Sequence, residues 1–264
     1  MSAKATLPLP VLDALPLGAR RLVALTDKAL FANTGVRIAF TGRDGGVSTG
    51  QYSSLNCASH VGDDIGAVTR NRRIVCEAAG VPDAQLVAPS QVHGTELIWA
   101  TEEGNPEADG VLVGVSGVAA LLNSADCLLF VIVSPTGKFA VVHAGWRGAI
   151  AHIALKAARE LVRGDDALPP ECNAYIGPHI RSECFEVGPD VESRFKDEFG
   201  DVAVSAPRHV SLAAAVSADL VTAGLLPERI ADAHICTKCN PDRYFSYRAT
   251  SGNCGRHSAF AVAF

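Results

Sequence analysis

The stretch at residues 128–148 reads LLFVIVSPTGKFAVVHAGWRG and indicates the architecture of the whole chain. It holds two almost continuous apolar runs, at 128–133 and 139–143, joined by a short turn that contains Pro135 and Gly137. Continuous apolar runs are typical of strands that are covered on both faces. A short turn rich in Gly and Pro favours antiparallel neighbours over parallel strands joined by a helix. We therefore expect two buried antiparallel strands at the centre of a sheet.

Similar patterns extend outward from this stretch in both directions. The sequence predicts further strands at 36–40, 86–92, 96–100, 109–113, 118–122, 173–176, 233–236 and 260–264, and helices at 68–79, 150–163, 189–199 and 212–223. Strands in the middle of the chain with helices around them predict an α/β fold with a layered mixed sheet flanked by helices. Residues 1–35, with three prolines, are predicted to be a lead-in to one catalytic domain at 36–264.

Composition excludes several classes of protein. The chain has 264 residues, of which 48% are hydrophobic and 19% charged, so it is too apolar to be disordered. It has no run of about 20 apolar residues that would span a bilayer. Its net charge of −5, without a basic run, argues against nucleic acid or a membrane surface as partner. The first residues lack the apolar core of a signal peptide, so we expect a cytoplasmic protein. We expect it to be a monomer or a homodimer.

The eight cysteines are expected to be thiols, because a reducing compartment disfavours disulfides. One of them lies in a group of three segments in which an apolar run borders a residue able to bind metal or carry charge, with glycine close by in two of the three. These segments supply His93, Cys127 and His143. Two imidazoles and one thiolate leave the fourth position of a tetrahedral zinc open, as in catalytic sites. The sequence therefore predicts a zinc site, in which copper is a possible substitute.

Charged residues near these segments are the candidates for chemistry. In HAGWRG, Arg147 either binds an anion such as phosphate at the start of the following helix or pairs with a surface acid while Trp146 packs on the core. The glycine-rich loop at 41–50 either holds substrate through Arg43, with Asn56 nearby, or is a solvated turn. Asp126 lies inside an apolar run, so we expect it to have a partner, for which Arg147 is a candidate, or a proton-handling role.

A second metal pattern lies near the end of the chain. Cys236 and Cys239 are followed by Cys254 and His257, a spacing that has the outline of a zinc ribbon. The segment between them, 243–248, resembles a strand with alternating functional side chains, which a small zinc knuckle does not require. The pattern leaves two alternatives, a second zinc site or four groups without a metal.

The motifs taken together resemble a known family. They are QVHG at 91–94, ADG at 108–110, ADC at 125–127, HAGWRG at 143–148, IGP at 176–178, CFEVG at 184–188 and CTKCNPDRYFSYR at 236–248 with GR at 255–256. This ordered set is similar to the family labelled laccase-domain protein, multicopper polyphenol oxidoreductase or peptidoglycan editing factor. The resemblance implies a cysteine-hydrolase-like, cytotoxic-necrotising-factor-like fold and assigns the metal site to His93, Cys127 and His143.

The same resemblance implies a purine nucleoside substrate. The expected reactions are phosphorolysis of adenosine, inosine and methylthioadenosine, and deamination of adenosine. Cys127, Asp126 and Arg147 are the predicted catalytic residues, and the general acid is Asp126, His179 or a water on the metal. The predicted substrate-binding residues are Arg43, Asn56 and Gln91.

Two other functions are alternatives to this one. A peptidoglycan-precursor editing hydrolase would use the same zinc site on an amide-like bond. A copper-dependent polyphenol oxidase is disfavoured, because the eight histidines include no His-x-His pair from which to build a multicopper cluster.

Overall fold

The computed structural model describes residues 5–100 and 106–264, and its strands build two large mixed sheets. In these ranges the strands are β1 (Asp13–Leu17), β2 (Leu22–Thr26), β3 (Val36–Thr41), β4 (Gln85–Val87), β5 (Leu97–Trp99), β6 (Gly110–Val113), β7 (Val118–Ser124), β8 (Leu128–Val133), β9 (Phe139–Ala144), β10 (Asn173–Ile176), β11 (Val204–Ala206), β12 (His209–Val210), β13 (Ile230–Asp232) and β14 (His257–Ala263). The α-helices are α1 (Lys28–Thr34), α2 (Ile65–Ala79), α3 (Trp146–Ile150), α4 (Ile153–Val162), α5 (Pro189–Phe199), α6 (Leu212–Thr222) and α7 (Tyr247–Thr250).

Each large sheet has six strands. The first has the order β1-β2-β3-β14-β7-β4, and the second has the order β13-β10-β8-β9-β6-β5. Neighbours are antiparallel except at three edges, where β4 pairs with β7, β5 with β6, and β13 with β10 in parallel. The predicted mixed α/β class and its antiparallel neighbours are therefore confirmed, with two stacked sheets where the sequence indicated one.

The continuous apolar runs have a simple cause in this layering. Successive side chains of a strand point to opposite faces. On β8, Leu129, Val131 and Val133 pack in the core cluster that also contains residues of the first sheet, while Leu128 and Phe130 pack in the cluster that contains helices α4 and α6. A third cluster joins the first sheet to α2. Because both faces of β8 are covered, every position must be apolar.

The structure differs from the sequence predictions at several elements. The predicted helix at 150–163 begins earlier, as α3, and breaks where His152 adopts a left-handed φ of 57° and its ring bonds Asp219 and Glu198. The strand expected at 233–236 lies at Ile230–Asp232, and 243–248 holds a turn followed by the first two residues of α7. The expected lead-in adds β1 and β2 to the first sheet, and α1 packs beside them through Leu30. Residues 1–4 of the lead-in lie outside the described ranges.

The helices of the described ranges are all too short or too polar to cross a bilayer.

Candidate metal centre and cavity

Three predicted metal ligands meet where strands of the two sheets end. Cys127 lies in the turn that passes from β7 in the first sheet to β8 in the second, and His143 on β9 is opposite Leu129 of β8. His93 comes from the loop after β4. The ligand atoms of His93, Cys127 and His143 all lie within 4.8 Å of one another. The two imidazole rings are 4.9 Å apart at their centroids and nearly perpendicular, at 86°.

Asp109 orients two of these ligands from behind. Its carboxylate accepts a hydrogen bond from Nδ1 of His143 at 2.8 Å and from the backbone N–H of Val92, His93 and Gly94 at 3.2, 3.0 and 2.7 Å. A proton on Nδ1 leaves the lone pair of Nε2 available for a metal, which is the usual role of a carboxylate behind a ligating histidine. Asp109 lies in the ADG motif at 108–110, but the sequence predicted no role for it.

The electrostatics of the cluster follow from these contacts. Burial alone would raise the pKa of the Cys127 thiol, but hydrogen bonds and positive charge from His143 and His93 outweigh it and lower that pKa to about 6. Burial alone would lower the pKa of His143, but Asp109 and Cys127 raise it to about 9. The pKa of Asp109 falls below its ordinary value because His143 and backbone amides offset its burial. The cluster therefore holds its thiol as a thiolate near neutral pH, the form that binds metal.

Unusual backbone geometry helps to bring the ligands together. His93 and Asp126 have φ angles of 59° and 88°, a region that non-glycine residues rarely adopt. Gly145 lies directly against the cluster, since a Cβ atom there would be 2.9 Å from Cδ2 of His93 and 3.4 Å from Sγ of Cys127. The first glycine of HAGWRG is therefore required for the close approach of the ligands.

Asp126 has partners, but Arg147 is not one of those identified. One oxygen of its carboxylate accepts a hydrogen bond from Oγ1 of Thr237 at 2.6 Å, and the other accepts from Oγ of Ser246 at 3.1 Å and from the backbone N–H of Arg248 at 2.6 Å. These bonds explain how a buried carboxylate is tolerated. They also tie the turn that carries Cys127 to the C-terminal part of the chain. A catalytic role for Asp126 stays a prediction.

The cluster opens into a cavity of about 440 Å³. Its apolar walls include Trp146, Ile180, Phe185, Leu212 and Tyr247, and its cationic or ionisable side chains include His60, Arg147, Arg248 and Arg256. Asp126 is the only acidic residue among those lining it in the described ranges. The cavity thus combines aromatic surface with an excess of positive charge beside the metal ligands.

The predicted substrate-binding residues have different places. Gln91 lines the cavity. Its side-chain amide donates to the carbonyl of Asn123 at 2.9 Å and accepts from the backbone N–H of Asn123 at 2.8 Å. Arg43 and Asn56 are not among the residues that line it. Arg43 donates to the carbonyls of Ser53 and Pro241, at 3.0 and 2.7 Å. A substrate-binding role for Arg43 and Asn56 stays a prediction.

Other candidates also lie outside the cavity lining. Asn56 is fully buried and bonds Asp63 and the backbone N–H of Arg256. His179, a candidate general acid, is buried with Nδ1 2.9 Å from the carbonyl oxygen of Gly177. Sequence reasoning missed the cavity roles of Arg248 and Arg256, although both lie in the closing motif.

The structure does not gather the four residues of the ribbon-like pattern. Cys254 packs with Phe245 and Ala125, and His257 is buried at the start of β14, where burial lowers its pKa to about 3. Cys236 and Cys239 instead form a group with Cys184 and Glu183. The Cys-x-x-Cys half of the pattern therefore lies beside Glu183 and Cys184 and not beside Cys254 and His257.

Known proteins are similar to this chain over most of its length. A family model described as multi-copper polyphenol oxidoreductase laccase matches residues 37–263. The adenosine deaminase RL5 of an unknown prokaryotic organism is 34% identical over 224 residues, which are 78% of this chain and 85% of that protein. The purine nucleoside phosphorylase of Deinococcus radiodurans is 32% identical over 229 residues, 85% of this chain and 88% of that one. The crystal structure of YlmD from Geobacillus stearothermophilus has a TM-score of 0.85 and 29% identity, covering 95% of this chain and 99% of that one.

Proposed function

The chain belongs to the multi-copper polyphenol oxidoreductase laccase family, whose model matches residues 37–263, and from this premise we propose that it is a zinc-dependent purine nucleoside enzyme. The proposed reactions are phosphorolysis of adenosine, inosine and methylthioadenosine and deamination of adenosine. The observation that carries the proposal is the cluster of His93, Cys127 and His143 at a cavity with aromatic and cationic walls. Relatives named adenosine deaminase and purine nucleoside phosphorylase support it.

The donor set fits a catalytic zinc ion. Two imidazoles and a thiolate are three of four tetrahedral ligands, and Asp109 supports His143 in the way expected behind a zinc ligand. Zinc supplies Lewis acidity that makes water a nucleophile near neutral pH. The multicopper label of the family fits less well, because this is the one histidine-containing metal group in the described ranges, and it holds two histidines.

The cavity fits a nucleoside and phosphate. Its volume of about 440 Å³ lies within the usual range for small-molecule sites, about 300–1,000 Å³. Trp146, Phe185 and Tyr247 offer aromatic surface for a purine base. Arg147 and Arg248 offer guanidinium groups, which pair with phosphate oxygens in bidentate fashion.

In phosphorolysis, the residues of the chain have a positioning and electrostatic role. Arg147 and Arg248 would hold the phosphate dianion against the anomeric carbon of the ribose, and Arg256, which also lines the cavity, would add positive charge. A phosphate oxygen forms the new bond to the anomeric carbon while the base leaves with the electrons of the glycosidic bond and takes a proton from solvent. Cationic groups that hold the phosphate in place lower the barrier by orientation. In deamination, the same walls would hold the base so that C6 faces the metal ligands. The oxygen of a water forms a bond to C6, and the amino group leaves as ammonia with one proton of that water, while the other proton remains on the base.

A product assay tests this function. Protein of verified metal content is incubated with adenosine, with and without phosphate, and the products are separated by chromatography. Phosphate-dependent formation of adenine and ribose 1-phosphate reports phosphorolysis, whereas inosine without phosphate reports deamination. Cys127→Ala is the control, and turnover no greater than that of this variant would refute the proposal. Elemental analysis of protein purified without added metal distinguishes zinc from copper.

A further inference from the structure

A second group of metal-ligating side chains lies outside the cavity. Cys184, Cys236, Cys239 and Glu183 each have a ligand atom within 4.8 Å of those of the other three. Sγ of Cys184 lies 3.3 Å from Sγ of Cys239. Cys236 is buried, Cys184 is half-buried, and Cys239 and Glu183 are exposed. We call these four residues the thiol cluster.

The backbone brings the three thiols together through bonds in which the sulfur atoms take no part. His179 and Cys236 form a parallel β-bridge, and the N–H of Thr237 donates to the carbonyl of His179 at 3.0 Å. The Cys-x-x-Cys turn is closed by Asn240, whose side chain donates to the carbonyl of Cys236 at 2.8 Å. These contacts fix the 236–240 turn beside the segment that leads to Cys184. The turn therefore presents two thiols to a third that is more than 50 residues away in sequence.

We propose that the thiol cluster binds a second zinc ion through Cys184, Cys236 and Cys239, with Glu183 as the fourth ligand. Tetrahedral zinc with bonds of about 2.3 Å places its sulfur ligands about 3.8 Å apart, whereas a disulfide needs about 2.0 Å. The separation of 3.3 Å for Cys184 and Cys239 lies nearer the zinc value. A disulfide would also leave the third thiol and the carboxylate without a reason to converge.

The chemistry of the donors selects the ion. Thiolates favour zinc and other soft ions over magnesium or calcium. On binding, each of the three thiols releases one proton to solvent and forms a bond to zinc, and no electron is transferred. With Glu183 as the fourth ligand the site is closed, which is typical of a structural zinc site. This site is distinct from both the cavity cluster and the ribbon-like set that includes Cys254 and His257.

The position of the thiol cluster indicates what the ion would stabilise. Cys184 precedes Phe185, which forms part of the cavity wall, and Cys236 precedes Thr237, which holds the carboxylate of Asp126. A zinc ion between the two segments would fasten this wall to the turn that carries Cys127. It would thus support the cavity from outside without touching a substrate.

Metal stoichiometry tests the proposal. Protein purified under reducing conditions without added metal is analysed by elemental analysis and by native mass spectrometry. We expect about two zinc ions per chain in the parent protein and about one in either Cys127→Ala or Cys239→Ala, with none in the double variant. Cys239 is exposed, so its truncation leaves no cavity in the core. Cys76→Ala, which removes a buried thiol outside both clusters, is the matched control and should keep both ions.

Cobalt substitution gives a readout that does not depend on activity. In the Cys127→Ala background the cavity cluster has no thiolate, so thiolate-to-cobalt charge-transfer absorption reports the thiol cluster alone. We expect a strong band that weakens on adding Cys239→Ala and persists on adding Glu183→Gln. The proposal is overturned if Cys239→Ala does not lower the metal content, or if the reduced, anaerobic protein contains a Cys184–Cys239 disulfide in place of the metal. A loss of activity in Cys127→Ala with the thiol-cluster zinc retained would separate the two sites.

Discussion

The two clusters of metal-ligating side chains differ in what surrounds them. In the cavity cluster, His143 has a buried carboxylate behind it, and Cys127 lies beside two imidazoles. In the thiol cluster, Cys184 lies beside two other thiols, and their hydrogen bonds and charges act with burial to raise its pKa well above the ordinary value. The cavity cluster is open on the side of a 440 Å³ cavity, whereas the thiol cluster has a fourth donor of its own.

This difference separates a site prepared for chemistry from one prepared for a structural ion. In the cavity cluster, His143 and His93 outweigh burial and lower the pKa of the Cys127 thiol to about 6, so its thiolate is present near neutral pH before any metal arrives. The thiol cluster lacks such support, so a cation must itself stabilise the thiolates, and its binding is coupled to proton release.

Substitution of His143 by alanine should produce the largest effect. It removes a buried ligand of the cavity cluster and leaves the Asp109 carboxylate with only its backbone N–H donors. We expect loss of the cavity metal and a fall of nucleoside turnover to the background level. The zinc of the thiol cluster should remain, as measured by elemental analysis. Loss of both ions together would show that the two clusters are not independent.

The sequence predicted the parts of this site that depend on local pattern. The runs at 128–133 and 139–143 indicated buried strands because both faces of each strand are covered. His93, Cys127 and His143 were identified because each residue able to bind metal lies at the boundary of an apolar run, and the family resemblance drawn from the motifs is confirmed by the matching family model.

The features that depend on contacts between residues far apart in sequence could not be predicted from local sequence patterns. The link between Cys184 and the Cys-x-x-Cys turn joins residues 52 positions apart, so the spacing suggested Cys254 and His257 instead. β1 escaped detection because it is a largely exposed edge strand that contains Pro16. The importance of Asp109 depends on the register of β6 and β9, which brings its carboxylate behind His143.

Substitution of Asp109 by asparagine should have the next largest effect. The carboxylate uses both oxygens, one on His143 and His93 and the other on Val92 and Gly94, and an amide has only one oxygen to accept such bonds. We expect zinc affinity at the cavity cluster to fall about 10- to 100-fold in a chelator competition assay.

The control for this change is Asp165→Asn. Asp165 is also a partly buried carboxylate with hydrogen bonds, to Ser134 and Thr136, but it is not part of either cluster. Its substitution should leave both zinc affinities unchanged. Equal losses in the two variants would mean that Asp109 acts through general stability and not through His143.

Substitution of Gly145 by alanine should have a moderate effect. The added Cβ would lie 2.9 Å from Cδ2 of His93, so the imidazole must move. Overpacking of this kind costs about 1–3 kcal/mol, and we expect the free energy of unfolding and the affinity for the cavity metal both to fall. In Gly114→Ala the nearest atom would be 3.5 Å away, an ordinary contact, so that variant should bind zinc normally. Unchanged metal affinity in Gly145→Ala would contradict the close approach at the cluster.

We expect the smallest change in metal-free protein without any substitution, in which the rate of alkylation at Cys127 should depend little on pH above neutrality. Because burial is outweighed by His143 and His93, the pKa of Cys127 is about 6, and its thiolate persists as the pH falls to that value. The rate of alkylation at Cys127 should therefore rise through about pH 6 and change by less than about twofold between pH 7 and 9. Cys184, whose pKa is raised, should react faster as the pH rises over that same interval. Peptide mapping by mass spectrometry measures both rates in one sample, and parallel profiles would refute the electrostatic contrast between the clusters.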